Sequence, residues 1–399
     1  MNITIAAPSS IPARRANTIQ TMKMAQAFAV LGHNVRLAVP QFQAAYRENP
    51  NHTIDPSQDN DYDWEHLADH YGIQKKFPIR YFSTIAVARH YDFSLKVLYW
   101  ARQNGSQYIY TRLPQIAAIG STLNTATIFE AHDMPGGLLG PRLFRCYLKG
   151  RGASRLVVIT RALADDLSRE FDPLLLKQLT IIAPDGVDLE RYQDLPEPNA
   201  ARKKLLERNL IDISIPEGRF TAGYTGHLYQ GRGVNQMLEM AARLVDITFL
   251  IIGGEAGQIS QLKSAVESRG LKNIYVLGFI PNAELPLYQA ACDVLMMPYQ
   301  GHVAASSGGD ISRYLSPMKL FEYMACGRAI LASDLPVLKE VLNAQNAVLL
   351  PSDDIQEWVS ALETLQREPE RREALAAQAR TDAENYSWER RARRILDGL

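Results

Sequence analysis

Three features of the 399-residue chain point to an α/β protein made of two Rossmann-like domains facing a cleft. Short apolar runs alternate with stretches of helical periodicity, the pattern of parallel strands joined by crossover helices. The pattern runs twice, and a charged, proline-rich span from Leu189 to Arg202 separates the two series as a linker. Polar or glycine-rich loops follow several of the strands, where open α/β sheets bind ligands. The expected domains are 1–187 and 188–385, with a terminal helix over 386–399 packing back on the first domain.

Composition narrows the function. With 46% apolar residues the chain can bury large cores. A formal net charge of zero argues against a general nucleic-acid binder. Cys146, Cys292 and Cys326 lie far apart and form neither a metal-binding spacing nor a disulfide framework, which fits a reducing cytoplasm. The start, MNITIAAPSS, lacks the charged and apolar regions of a signal peptide, and no apolar run is long enough to span a membrane.

The first series opens with a buried strand over Asn2–Ala7. A loop through Ser9, Ser10, Arg14, Arg15 and Asn17 follows, then a helix from Thr18 to Leu31 ending at Gly32, and a strand over Val35–Val39. That loop is a candidate site wall, with Arg14 and Arg15 available to an anionic acceptor or a phosphate. Gln41–Lys76 is a polar, turn-rich excursion with one or two short helices. Strands over Ile79–Phe82, Tyr108–Thr111 and Thr127–Glu130 alternate with helices over Tyr91–Asn104 and Ile116–Leu123. His132 and Asp133 come directly after the third of these strands, before a glycine-rich loop. A histidine at that edge can donate to a sugar hydroxyl or a phosphate oxygen, and Asp133 can orient it or bind acceptor. From Met134 to Ala164 there are six basic residues and no acidic ones, running from Arg142 to Arg161 with Leu138, Leu139, Leu143, Phe144 and Tyr147 interleaved. This suits an anionic lipid or acceptor surface, or an ordinary solvated helix face. A strand over Leu156–Ile159, a helix over Arg161–Arg169 capped by Thr160, and a strand over Leu179–Ala183 complete the series.

The second series begins with a strand over Phe220–Tyr224 and the loop Thr225–Gly233, leading into a helix over Val234–Leu244. Gly226 and Gly233 permit close backbone approach. Arg232 is placed to grip a diphosphate bidentately, and His227 to assist it. Gly253, Gly254 and Gly257 imitate a dinucleotide turn, but no acidic residue ends the next strand, Ile274–Leu277, so the match to an NAD site is poor. Strands over Thr248–Ile252, Val294–Met297, Ala329–Ala332 and Val348–Leu350 and helices over Asn282–Ala291, Ile355–Leu365 and Pro369–Asn385 fill out the domain.

Ser306 to Glu340 organises the second series. Pro317 suits the first turn of a helix. The free N–H groups of Met318, Lys319 and Leu320 then stand at the positive end of the helix dipole, a site for phosphate. Glu322, a turn deeper, can accept two ribose hydroxyls. Asp310 lies in the preceding loop.

These motifs resemble glycosyltransferase family 4, whose members have the GT-B fold and transfer sugars from nucleotide donors with retention. The similarity covers nearly the whole chain and rests on MKMAQAFAVLGHNV, PDGVDLERY, YTGHLYQGRGV and SPMKLFEYMACGRAILASDLPVLKEVL, in that order. The resemblance implies that Glu322 binds the donor ribose and that Arg232, where the family usually has lysine, binds the diphosphate. His227 stands where an arginine is frequent, His132 matches the active-site histidine near the transferred sugar, and Lys319 falls on the diphosphate side. Ser9–Asn17 corresponds to the loop that closes over donor and acceptor, without its usual paired glycines. Tyr314 occupies the place of the family's first glutamate, and the resemblance then leaves Asp310 to contact the donor sugar instead.

The function implied is transfer of a hexosyl unit from a nucleotide diphosphosugar, a UDP-sugar first, to a hydroxyl acceptor in polysaccharide or glycolipid synthesis. No carboxylate cluster calls for a metal, and no cofactor is expected beyond the nucleotide sugar. The partners expected are the donor, a sugar or glycolipid acceptor and, at most, peripheral membrane contact through Arg142–Arg161. Alternatives are a nucleotide-sugar epimerase, which would turn over donor without acceptor, and a non-catalytic nucleotide-sugar-binding subunit.

Overall fold

The computed structural model describes residues 1–42, 63–85, 88, 90–211, 215–304 and 309–399. Two compact units emerge: Met1–Asp185 with Trp388–Leu399, and Gly186–Ser387.

The first unit holds strands β1 (Asn2–Ala6), β2 (Asn34–Phe42), β3 (Ile79–Thr84), β4 (Tyr108–Thr111), β5 (Thr127–Ala131), β6 (Ala153–Val158) and β7 (Thr180–Ile182). They pair in the order β3-β2-β1-β4-β5-β6-β7, all parallel. A parallel sheet is covered on both faces, so its strands are apolar throughout, and Ile3, Leu37, Ile109 and Ile128 are fully buried. The order reverses between β1 and β4. The loops after these two strands therefore flank the switch point, where α/β sheets place ligands. Helices α1 (Ala16–Val30), α2 (Trp64–Tyr71), α3 (Tyr91–Gln103), α4 (Pro114–Thr122), α5 (Gly140–Lys149), α6 (Arg161–Glu170) and α7 (Pro173–Leu179) complete the first 185 residues. The terminal helix, Trp388–Leu396, belongs to this unit. Arg155 donates to the carbonyls of Ile395 and Asp397 at 2.7 and 2.6 Å, satisfying acceptors that a helix end leaves open.

The second unit holds β8 (Thr221–Thr225), β9 (Thr248–Ile252), β10 (Ile274–Gly278), β11 (Val294–Met297), β12 (Ala329–Ser333) and β13 (Val348–Leu350). These form a second parallel sheet, β10-β9-β8-β11-β12-β13, reversing between β8 and β11. Its helices are α8 (Pro198–Glu207), α9 (Val234–Arg243), α10 (Ala256–Ser268), α11 (Leu285–Ala290), α12 (Met318–Cys326), α13 (Ile355–Arg367) and α14 (Pro369–Ala383).

Three expectations are corrected. The span read as a linker, Leu189 to Arg202, is a 3-10 turn at Leu189–Tyr192 followed by the start of α8. Pro198 opens that helix, and Arg202 is buried, donating to the Ala291 carbonyl at 2.8 Å and pairing with Asp293 at 2.5 Å. Asn17 lies inside α1 rather than in the preceding loop. Helix α7 was not anticipated, although Asp172 caps it by accepting from the N–H of Leu174 at 2.9 Å. Of the excursion at Gln41–Lys76, residues 43–62 lie outside the described residues, and α2 is the helix seen there. Among the described residues no helix is long and apolar enough to cross a membrane.

Candidate functional site

In the second unit the loops after β8 and β11 and the start of α12 bring one set of side chains together. Lys319 Nζ lies 3.7 Å from the ring centroid of Tyr224 and 5.5 Å from that of Tyr299. Arg232 stacks over the same Tyr299 ring, its Cζ 4.9 Å from the centroid. Cations over aromatic faces are stabilised, but a ring does not replace a hydrogen-bond acceptor. Lys319 Nζ, Arg232 Nε and His227 Nδ1 are buried and have no hydrogen-bond partner among the described residues. Burial, and then Arg232 nearby, hold the Lys319 amine well below its ordinary range, with Glu322 pulling the other way. Burial also lowers the His227 imidazole, and Lys319 adds to this. The His227 ring stacks on Tyr229 at 4.8 Å, and Tyr229 is tied to Glu255 through a 2.9 Å hydrogen bond.

Glycine makes this crowding possible. A Cβ on Gly226 would lie 2.7 Å from Lys319 Nζ, and one on Gly233 would lie 2.1 Å from the Pro298 carbonyl oxygen at a φ of 79°. A backbone carbonyl cannot step aside as a lysine tip can. Gly233→Ala is therefore expected to destabilise the protein by about 3 kcal/mol, read as a lower urea midpoint.

Glu322 sits behind Lys319 on α12. Its Oε2 accepts from Gln289 Nε2 at 3.3 Å. Gln289 is wholly buried; its amide also donates to Thr225 Oγ1 at 3.2 Å and accepts from the Tyr192 hydroxyl at 2.9 Å. Two details of the predicted clamp are corrected. Pro317 is the residue before α12, in extended conformation, rather than its first turn. The Leu320 N–H is not free: it donates to the Pro317 carbonyl at 2.8 Å, so the helix start offers fewer amides than expected. Ser306, Ser307 and Gly308 lie outside the described residues. Asp310 organises its own loop, accepting from the N–H groups of Ser312 and Val303 at 2.9 and 3.0 Å, with His302 Nδ1 at 3.2 Å. Those hydrogen bonds, the Ser312 N–H first, hold its carboxyl down at about 2. The Tyr314 N–H donates to the Ile311 carbonyl at 3.1 Å, and Arg313 lies over its ring at 5.9 Å.

In the first unit His132 follows β5 directly. Its Nε2 is 2.5 Å from Glu130 Oε1, and one fifth of its side-chain surface is open while Glu130 is closed. Arg391 of the terminal helix reaches the same oxygen at 3.0 Å. Burial, then Arg112, hold the His132 imidazole well below its ordinary range, Asp185 opposing them and Arg391 adding to the effect. Burial lowers the Arg112 guanidinium to about 10. Glu130, His132 and Asp185 each offer a ligand atom within 4.8 Å of one another, but Arg391 and Arg112 already bring positive charge to that group. Sequence reasoning missed Glu130, Arg112, Asp185 and Arg391.

The loop after β1 is pinned at several points. Ser10 donates to the Pro40 carbonyl at 2.9 Å, Asn17 Nδ2 to Ser9 Oγ at 3.0 Å, and the Ala13 N–H to the Tyr71 hydroxyl at 2.7 Å. Arg14 and Arg15 are exposed, as is Asp133, which accepts from the Met134 N–H at 2.8 Å. The basic stretch divides. Arg142, Arg145, Lys149, Arg151 and Arg161 are exposed, whereas Arg155 is committed to the terminal helix. Phe144 and Tyr147 are core residues rather than surface ones, so Leu138, 88% exposed, and Leu139 are the outward apolar pair.

Residues 219–368 match the family model described as Glycosyl transferases group 1. The D-inositol 3-phosphate glycosyltransferase of Rhodococcus jostii is 26% identical over 260 residues, covering 61% of this chain and 52% of that protein. The 2-deoxystreptamine glucosyltransferase of Streptomyces kanamyceticus is 30% identical over 154 residues, 37% of each chain. The match thus spans about half or less of these relatives. Among solved structures, Anabaena Alr3699/HepE in complex with UDP and glucose superimposes with a TM-score of 0.70 at 15% identity over the full length of both chains. WaaG, a glycosyltransferase involved in lipopolysaccharide biosynthesis, gives 0.61 at 16% identity over 99% of this chain and 100% of its own. The protein has the two Rossmann-like domains of the GT-B fold, and the part of its second domain over residues 219–368 is similar to the group 1 glycosyl transferases.

Proposed function

We propose that this protein is a retaining glycosyltransferase that moves a hexosyl unit from a nucleotide diphosphosugar, a UDP-sugar first, to a hydroxyl acceptor. The observation that carries the reading is the trio of buried, unpartnered nitrogens, Lys319 Nζ, Arg232 Nε and His227 Nδ1, gathered beside the start of α12. Buried polar groups are nearly always paired, and a cluster of unpaired nitrogens calls for an anion. A diphosphate supplies the acceptors, and its leaving-group charge would be met by Arg232 and Lys319 without a metal. Glu322 would hold the ribose. In this reading the second unit takes the nucleotide, and the first unit, with His132, Asp133, the loop bearing Ser10, Arg14 and Arg15, and Asn17 at the start of α1, takes the acceptor side. Asp310 and Tyr314 would lie toward the donor sugar. In the proposed step the acceptor oxygen bonds to the anomeric carbon on the face the diphosphate leaves. The bond to the diphosphate oxygen breaks, and that oxygen takes the acceptor proton. The relative bound to UDP and glucose supports a uridine donor. Exposed Leu138 and Leu139 beside Arg142, Arg145 and Lys149 support peripheral contact with a lipid-borne acceptor.

A thermal-shift screen against UDP-, GDP- and ADP-sugars tests the donor reading. A UDP-sugar is expected to raise the unfolding midpoint, since a ligand that binds only the folded state stabilises it. Arg232→Ala is expected to abolish the shift with its own midpoint little changed. No shift with any nucleotide sugar would sink the proposal.

A further inference from the structure

Charge lies buried beneath His132 where a parallel strand would ordinarily be apolar. Glu130 is inside β5, whose residues are all buried. Three groups converge on one of its oxygens, Oε1: Gln20 Nε2 at 2.6 Å, His132 Nε2 at 2.5 Å and Arg391 Nη2 at 3.0 Å. An amide NH2 and a guanidinium can only donate. Oε1 is therefore an acceptor, and any proton on this carboxyl would sit on Oε2. His132 must then be the donor at Nε2. Arg391 is itself fixed, donating to the carbonyls of Pro184 and Ala183 at 2.8 and 3.1 Å and lying 3.2 Å from the Tyr110 hydroxyl. The charged groups around the ring are Glu130 from β5, Arg112 after β4, Asp185 after β7 and Arg391 from the terminal helix. Nδ1, the ring's other nitrogen, makes no hydrogen bond among the described residues, and part of the side chain is open.

We infer that Glu130, held by Arg391, is a positioning residue that fixes His132 as the Nε2–H tautomer, so that Nδ1 accepts a hydrogen bond from a hydroxyl of the sugar substrate. This rests on the placement of His132 at the sugar in the proposed function. It also settles a choice that the residue type leaves open, because a neutral imidazole can donate or accept at its free nitrogen. The terminal helix thereby acquires a role in the site: its arginine keeps the carboxylate in place.

Long-range proton–nitrogen spectra of the full-length, nitrogen-15-labelled protein test the inference, with the His132 ring assigned through its loss in His132→Gln. The wild-type ring is expected to carry its proton on Nε2 with Nδ1 bare throughout pH 6.5–8, a window set about the ordinary histidine pKa. A ring protonated on Nδ1 overturns the inference. In Glu130→Met/Arg391→Met both buried charges leave together, so neither is stranded. The tautomer preference is expected to disappear there and to survive in Glu130→Gln, whose amide oxygen still accepts. A preference retained in the double variant also overturns it. Turnover of UDP-glucose to UDP is expected to fall about tenfold in the double variant with its KM unchanged, the loss of one oriented hydrogen bond. A lost preference with unchanged turnover would instead overturn the placement of His132 at the sugar.

Discussion

Replacing Lys319 with methionine is expected to cost about 10²–10³ in sugar transfer, the loss seen when one preorganised transition-state donor is removed, while making the unliganded protein more stable. The two effects have one cause. Nζ is buried over the Tyr224 ring without an acceptor, and Arg232 stands close by with the same charge. An ammonium there is held at a cost that a thioether of similar length avoids, on the order of 1 kcal/mol or more. Such strain persists in a native site when a ligand relieves it. The pH dependence follows in sign. The amine's folded pKa lies below that of the unfolded chain, about 10.4. The unfolded chain therefore binds more protons between those two values, and unliganded stability falls as pH drops through that window. A diphosphate favours the ammonium, so UDP binding takes up a proton in the same window and its affinity falls as pH rises. Calorimetric titration with UDP in buffers of different ionisation enthalpy measures the uptake. Lys319→Met should abolish it and raise the thermal midpoint. A less stable variant, or one with wild-type UDP affinity, would show that Lys319 is not waiting for an anion.

How much of this was legible depends on whether the chemistry is local in the chain. Pro317, Lys319 and Glu322 fall within six residues, and Gly226 and Arg232 within one loop, so the spacing alone pointed to a phosphate clamp. The strands were legible because both sheets are parallel and covered, which turns each strand into an unbroken apolar run. The aromatic floor was not. Tyr224 is the last residue but one of β8 and Tyr299 follows β11, and they become neighbours only through the sheet order β10-β9-β8-β11. Glu130 was hidden differently: it occupies an inward strand position, where composition gives no sign that an arginine 261 residues later on the terminal helix will meet it. The misreading of Leu189–Arg202 shows the opposite failure. Proline and charge mark linkers on average, yet proline also opens helices, and Arg202 is interior because Asp293 and the Ala291 carbonyl accept from it. Helix α7 carried a usable signal in Asp172-Pro173, a cap followed by a first-turn proline.

Glu322→Ala is expected to weaken UDP binding about 30- to 100-fold, the loss of charged hydrogen bonds worth about 2–3 kcal/mol. The same carboxylate gives a way to separate contact from orientation. Gln289 donates to Oε2, and its own carbonyl is held by Tyr192. One carboxylate oxygen is thus steadied from inside the protein, and under the proposed function this would orient the carboxylate toward a ribose. If so, Gln289→Leu should weaken UDP by about tenfold without touching it, and Tyr192→Phe by less, because the amide keeps its bond to Thr225. The ligand can be altered instead of the protein. UDP is expected to bind the wild type more tightly than 2′,3′-dideoxy-UDP, and Glu322→Ala should bind both nucleotides alike. Gln289→Leu should fall between them, and Gln289→Leu/Glu322→Ala should be no worse than Glu322→Ala, since the amide acts only through the carboxylate. Equal binding of the two nucleotides by the wild type would remove Glu322 from the ribose. Full discrimination in Gln289→Leu would leave Glu322 there and show that the carboxylate needs no interior partner to find its orientation.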